Sequence, residues 1–209
     1  MIPATEALKQ LREGNLRYVA DERNRSVVTC PIQRIDLVAG QEPFAIILGC
    51  SDSRVPAELV FDQGVGDLFV IRVAGNVVAP SLVGSVEFAA SLFHTRLVVV
   101  LGHTMCGAIQ ATIQELERPD KNRSPNLASI VNRIRPCVEP LVAAGLGKDP
   151  AELIAQAGRA NIRASANALR HGSEILEGLI EHKELVVVGA EYSLETGLVD
   201  FFDGVPERS

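Results

Sequence analysis

The chain has 209 residues, 47% hydrophobic and 22% charged, which suits one folded α/β domain and excludes a disordered or fibrous chain. Its apolar runs, such as 97–101, fall far short of the ~20 residues of a membrane helix, and Met1-Ile2-Pro3 opens no secretory signal, so the sequence reads as cytosolic. A formal net charge of −6, with Arg23, Arg25, Arg133 and Arg135 scattered among acids, leaves no basic footprint for a nucleic acid.

From the N-terminus, residues 5–19 carry Ala7, Leu8, Leu11, Leu16 and Tyr18 at helical spacing, and 21–25 is polar. This is an amphipathic arm whose apolar face needs a partner surface, since a single compact domain offers it no obvious place. Four short, continuous, β-branched runs follow at 44–48, 68–73, 97–101 and 185–188. Runs of that kind predict parallel strands covered on both faces. Helices are expected at 56–61, 82–93, 108–116 and 126–144, the last broken at Pro136. Asp149-Pro150-Ala151-Glu152 starts another, with Asp149 as cap and Glu152 reaching back as in a capping box. It runs to about His171, Gly172 stops it, and Ser173 caps the next. A last strand at 197–202 lies at the sheet edge. The expected fold is therefore a mainly parallel α/β sheet, about four parallel strands plus a C-terminal edge strand, flanked by helices and preceded by the helical arm.

Four cysteines (Cys30, Cys50, Cys106, Cys137) without a Cys-x-x-Cys argue against a redox pair in a cytosolic chain. In parallel sheets ligands collect at the carboxyl ends of strands. The first strand runs into Cys50 and the third into His103, with Cys106 three residues later. Adjacent strands would bring these together as three soft or borderline zinc ligands with a position left open. The same residues also read as buried thiols and a core histidine. After Cys50, Ser51-Asp52-Ser53-Arg54 has two readings as well. Asp52 and Ser53 cap the short helix with Arg54 solvated, or Arg54 forks the Asp52 carboxylate and keeps it ionised beside the site. Spacing does not separate them. His94, His171 and His182 fall at helix ends, where a structural role dominates. Cys30 and Cys137 read as packing thiols.

Cys50-Ser51-Asp52-Ser53-Arg54 with His103-Thr104-Met105-Cys106-Gly107 resembles the signature of the β-class carbonic anhydrases. Leu11-Arg12-Glu13-Gly14-Asn15, Gly66-Asp67-Leu68-Phe69-Val70, Arg72, Asn76 and Asn161-Ile162 extend the likeness over nearly the whole chain. The resemblance implies one domain over 1–209 and one zinc ion per chain on Cys50, His103 and Cys106. It implies Asp52 and Arg54 as the catalytic pair, Gly107 N–H donating to the nascent bicarbonate, and reversible hydration of carbon dioxide by zinc-bound hydroxide. Gln41, Phe69 and Phe88 resemble the residues lining the substrate pocket of the plant-like, open-site variant. Arg72 and Tyr192 resemble two of three bicarbonate-pocket residues of the closed variant, but Ile47 stands where its Trp would be. A homodimer or higher homo-oligomer is implied, with the arm of about 1–25 on the neighbour and Gln41, Phe69 and Phe88 serving the partner's zinc. The alternatives keep the same zinc site: a carbonyl sulfide or carbon disulfide hydrolase, or a non-catalytic zinc-stabilised regulatory protein. A dinucleotide-binding enzyme is excluded because no Gly-x-Gly-x-x-Gly follows the first strand.

Overall fold

The computed structural model describes residues 2–22, 37–119, 124–145 and 149–206. Five strands, β1 (Ala45–Cys50), β2 (Leu68–Val73), β3 (Leu97–His103), β4 (Val186–Tyr192) and β5 (Val199–Asp203), form one sheet in the order β2-β1-β3-β4-β5. The first four are parallel and β5 is antiparallel to β4. This matches the expected four parallel strands and an edge. β1 and β3 extend past the expected ends, so Cys50 and His103 are the last residues of their strands.

Seven helices surround the sheet among the described residues: α1 (Ala4–Val19), α2 (Ala57–Val60), α3 (Pro80–Leu92), α4 (Gly107–Glu117), α5 (Pro125–Ala143), α6 (Pro150–His171) and α7 (Glu174–Glu181). Side chains alternate along the strands as a two-residue period demands. Ile47 and Val99 face a core shared with α1 and α2, while Ile46, Leu48, Val98 and Val100 face one shared with α3, α6 and α7. A third cluster, at the carboxyl end of the sheet, packs Cys50 and Cys106 with Ile109, Ile134, Val138 and Leu153. The metal-type residues thus sit on an apolar base.

Three local expectations are corrected. Helix α5 runs through Pro136 and Pro140 instead of breaking. Both prolines are exposed while Val131, Ile134 and Val138 are buried, so packing on the inner face holds the helix and the carbonyls left without N–H partners open to water. Asp149 accepts from Ala151 N at 2.9 Å as expected, but Glu152 accepts from Gln156 Nε2 instead of reaching back. The apolar face of α1 also finds a place on its own chain. Ala7, Leu8 and Leu11 are buried in the core, and Asn15 Nδ2 donates to the carbonyls of Val60 and Gly197. Leu16 and Val19 remain exposed on that helix. Residues 23–25 of the arm and Cys30 lie outside the described residues.

Candidate metal centre

The β1–β3 pairing aligns Ile46–Gly49 with Val98–Leu101 in parallel register, so both strands deliver their last residues to one edge. Beyond His103 the chain turns through Met105, at φ +56, and Cys106 serves as N-cap of α4. Cys50, His103 and Cys106 converge there, each about 3–4% exposed, with their ligand atoms all within 4.8 Å of one another. The two sulfurs are 4.0 Å apart.

His103 Nδ1–H donates a hydrogen bond to the Thr104 carbonyl oxygen at 2.9 Å, which leaves Nε2 as the free ligand atom. Nε2 is buried with no hydrogen-bond partner, which a polar atom in this position does not tolerate without a ligand. Two thiols and an imidazole nitrogen at these separations fit zinc by number, chemistry and spacing.

Contact with Cys106 holds the Cys50 thiol far below its ordinary value despite burial, and the same contact with burial drives Cys106 up. The pair therefore surrenders one proton readily and keeps the second until a cation displaces it. Burial works against a charge on His103, but the charge of the adjacent Cys50 thiolate and the Thr104 carbonyl raise its pKa overall.

Beside this cluster the structure chooses between the two readings of Asp52. It caps no helix, since α2 begins after Pro56 without a side-chain cap. Its Oδ1 accepts from Arg54 N at 3.0 Å and from Arg54 Nε at 2.9 Å, and its Oδ2 accepts from Arg54 Nη2 at 2.8 Å. Those side-chain bonds hold the carboxyl well below the usual carboxylate range. Asp52 Oδ2 stands 3.9 Å from His103 Nε2, at the rim of the donor set.

The residues expected to line the pocket do not join this cluster within one chain. Gln41 is exposed in the segment before β1. Phe69 pairs with Ile46, four residues ahead of the Cys50–Val73 pair, hence about 13 Å down the strand at ~3.3 Å per residue. It packs with Phe88 and Phe93, centroids 6.2 and 6.0 Å away, and Phe88 is 50% exposed. Gly107 begins α4 directly after Cys106.

Sequence reasoning missed the supports of the loop. Arg72 donates from Nε to the Cys50 carbonyl at 2.9 Å and from Nη2 to the Asp52 carbonyl, bracing the segment that carries both residues. Gly75 N–H donates to Cys50 Sγ at 3.3 Å. Cys137 is a packing thiol, as expected: its Sγ donates to the Ile134 carbonyl and burial raises it to about 11. His94, His171 and His182 lie at helix ends, also as expected.

Three buried donors of this kind, within reach of one ion, form a group that could hold a metal, as a metalloenzyme site would. The family profile described as "Carbonic anhydrase" matches residues 45–199. "Carbonic anhydrase 2" of Mycobacterium tuberculosis is 35% identical over 198 residues, 91% of this chain and 89% of the relative. The β-carbonic anhydrase CafA of Aspergillus fumigatus superposes with a TM-score of 0.74 at 23% identity over 97% of this chain and 91% of its own. A tetrameric β-carbonic anhydrase of Sordaria macrospora superposes with a TM-score of 0.74 at 22% identity over 82% and 86% of the two chains. This chain belongs to the carbonic anhydrase family, in its β class.

Proposed function

We propose that the chain hydrates carbon dioxide reversibly to bicarbonate and a proton, with one zinc ion per chain on Cys50, His103 and Cys106. The observation that carries this reading is the buried sulfur–imidazole–sulfur set whose His103 Nε2 has no other partner. Zinc in that position supplies a Lewis acid that lets water ionise near neutral pH.

The chain's own residues do the rest. The Thr104 carbonyl orients the imidazole. Arg54 keeps Asp52 ionised and pointed, so that its carboxylate acts only as an acceptor. From the rim of the site Asp52 takes the proton side of the reacting water and turns a lone pair toward carbon dioxide. Gly107, at the first position of α4, presents its N–H to the oxygen on which charge develops. Both Asp52 oxygens are engaged by Arg54, which supports an open coordination position over ligation by Asp52 itself.

Carbon dioxide carries no charge, so its pocket is apolar. In this reading Gln41, Phe69 and Phe88 supply it to the zinc of a second copy in a homo-oligomer, with the arm lying on the neighbour. The distance of Phe69 from its own chain's cluster supports this, as do the exposed apolar side chains of Phe88, Leu92, Leu16 and Val19. A cytoplasmic setting belongs to the same reading. Cys50, Cys106 and Cys137 are free thiols, and no described helix is long and apolar enough to cross a membrane. Neither a carbonyl sulfide or carbon disulfide hydrolase nor a non-catalytic zinc protein is favoured: the relatives are named carbonic anhydrases, and the Asp52–Arg54 pair is intact.

Stopped-flow carbon dioxide hydration on protein with one zinc per chain, before and after chelation, tests the proposal. Catalysis should vanish with the metal and return with it. A rate that survives complete zinc removal refutes it.

A further inference from the structure

Gly75 lies just past β2 with φ +69, where a Cβ would sit 2.9 Å from Ile134 Cδ1 and 3.0 Å from Ala108 Cβ. Only glycine takes that conformation in that space without strain. The turn gives its backbone two directed contacts. On one side of the Cα the N–H donates to Cys50 Sγ at 3.3 Å, and on the other the C=O accepts from Asn161 Nδ2 at 2.8 Å, both buried. Asn161 is 2% exposed in α6. Its neighbour Ile162 packs directly on Gly102, one residue before His103. One turn of α6 therefore braces the backbone behind two of the three donor residues.

We infer that Asn161 is a positioning residue for Cys50. By holding the Gly75 carbonyl it fixes the left-handed turn, and that turn aims the Gly75 amide at the Cys50 sulfur. An N–H bonded to a thiolate draws electron density from it, so the sulfur gives less charge to a bound cation and the cation stays the stronger Lewis acid. The effect matters most with two thiolate donors, which already offset most of a divalent charge. The inference rests on the zinc reading above.

The test uses the full-length protein loaded with cobalt(II), whose sulfur-to-metal charge-transfer band reports the electron richness of the thiolates. Asn161→Leu keeps the side-chain size and removes the donor. It should still bind one cobalt per chain, with the band moved to lower energy. The zinc form should lose ~3-fold in kcat at neutral pH, recovering at higher pH, with KM little changed. Leu169→Ala, on the same helix's buried face, is the control: it should lower Tm and leave the band in place. An unmoved band in cobalt-loaded Asn161→Leu overturns the inference.

A second measurement needs no substitution. In the unmutated protein loaded with cadmium-113 and labelled with nitrogen-15, the Gly75 amide proton should show scalar coupling to the metal through Cys50 sulfur. Its absence removes the amide-to-sulfur link. Metal analysis of the unmutated protein stands apart: if it takes up neither zinc nor cobalt, the zinc reading itself fails.

Discussion

Arg54 grips both carboxylate oxygens of Asp52, Nε on Oδ1 at 2.9 Å and Nη2 on Oδ2 at 2.8 Å, while Oδ2 reaches to 3.9 Å from His103 Nε2. The arginine is itself 55% exposed, so the pair adds little to stability and its value lies in direction. Asp52→Asn replaces one acceptor oxygen with a donor and leaves Cys50, His103 and Cys106 untouched. Zinc content should stay at one per chain while turnover falls ~10²-fold or more, the scale of losing one directed charge-stabilising contact. Metal analysis beside stopped-flow kinetics checks both halves, and unchanged turnover removes Asp52 from the mechanism.

The Cys50–Cys106 pair makes a prediction about the metal-free chain. Its sulfurs hold one proton between them, so one thiol is a ready nucleophile at pH 7, whereas burial lifts Cys137 to about 11 and keeps it a thiol. Peptide-mapped iodoacetamide labelling should modify one of the pair within minutes after chelation, modify Cys137 far more slowly, and spare Cys50 and Cys106 once zinc is restored. Equal labelling of the pair with and without zinc contradicts the ligand assignment.

These two features differ in how far the sequence announced them. Parallel strands were legible because β-branched runs such as Leu97–His103 are buried on both faces, and the ligands followed because strand ends are where such sheets gather chemistry. Asp52 was ambiguous, since a cap and an Arg-paired carboxylate share one spacing, and only geometry separates them. The support of Cys50 was not legible at all. Asn161 reaches Gly75 across 86 residues, and no local period records such a contact. Pro136 misled for a related reason: propensity describes a helix alone, while packing of Ile134 decides whether it continues.

Close packing behind the site predicts the cost of a single methyl group. A Cβ on Gly102 would lie 2.5 Å from Ile162 Cδ1, and Ile162 is fully buried. Gly102→Ala should cost ~1–3 kcal/mol in denaturant unfolding, with Ile162→Val in the same chain restoring part of it. Stability equal to the parent chain would mean that α6 yields where the structure shows contact.

The proposed contribution of Phe88 to a second copy separates assembly from metal binding. Phe88 and Leu92 stand 50% and 58% exposed on α3, with the Phe88 ring against Phe69. Phe88→Asp should reduce the assembled mass in analytical ultracentrifugation and lower hydration at least ~10-fold while one zinc per chain remains. Full activity in a monomeric variant would show that the pocket is complete within one chain.

Tyr192 gives a pH signature of the fold. It pairs with His103 across β3 and β4 and is 4% exposed, with its hydroxyl 3.2 Å from that of Tyr18. Burial and that contact raise it to about 12, because the folded chain favours the neutral phenol. The stability this contributes is complete below the unfolded value near pH 10. It drains away as pH climbs from there through 12, since the unfolded chain ionises first. The chain has two tyrosines and no tryptophan, so absorbance at 295 nm follows these two phenols alone. The native protein should withhold part of that absorbance until about pH 12 and release it near pH 10 in denaturant. Full phenolate absorbance by pH 11 in the folded state would contradict the buried contact.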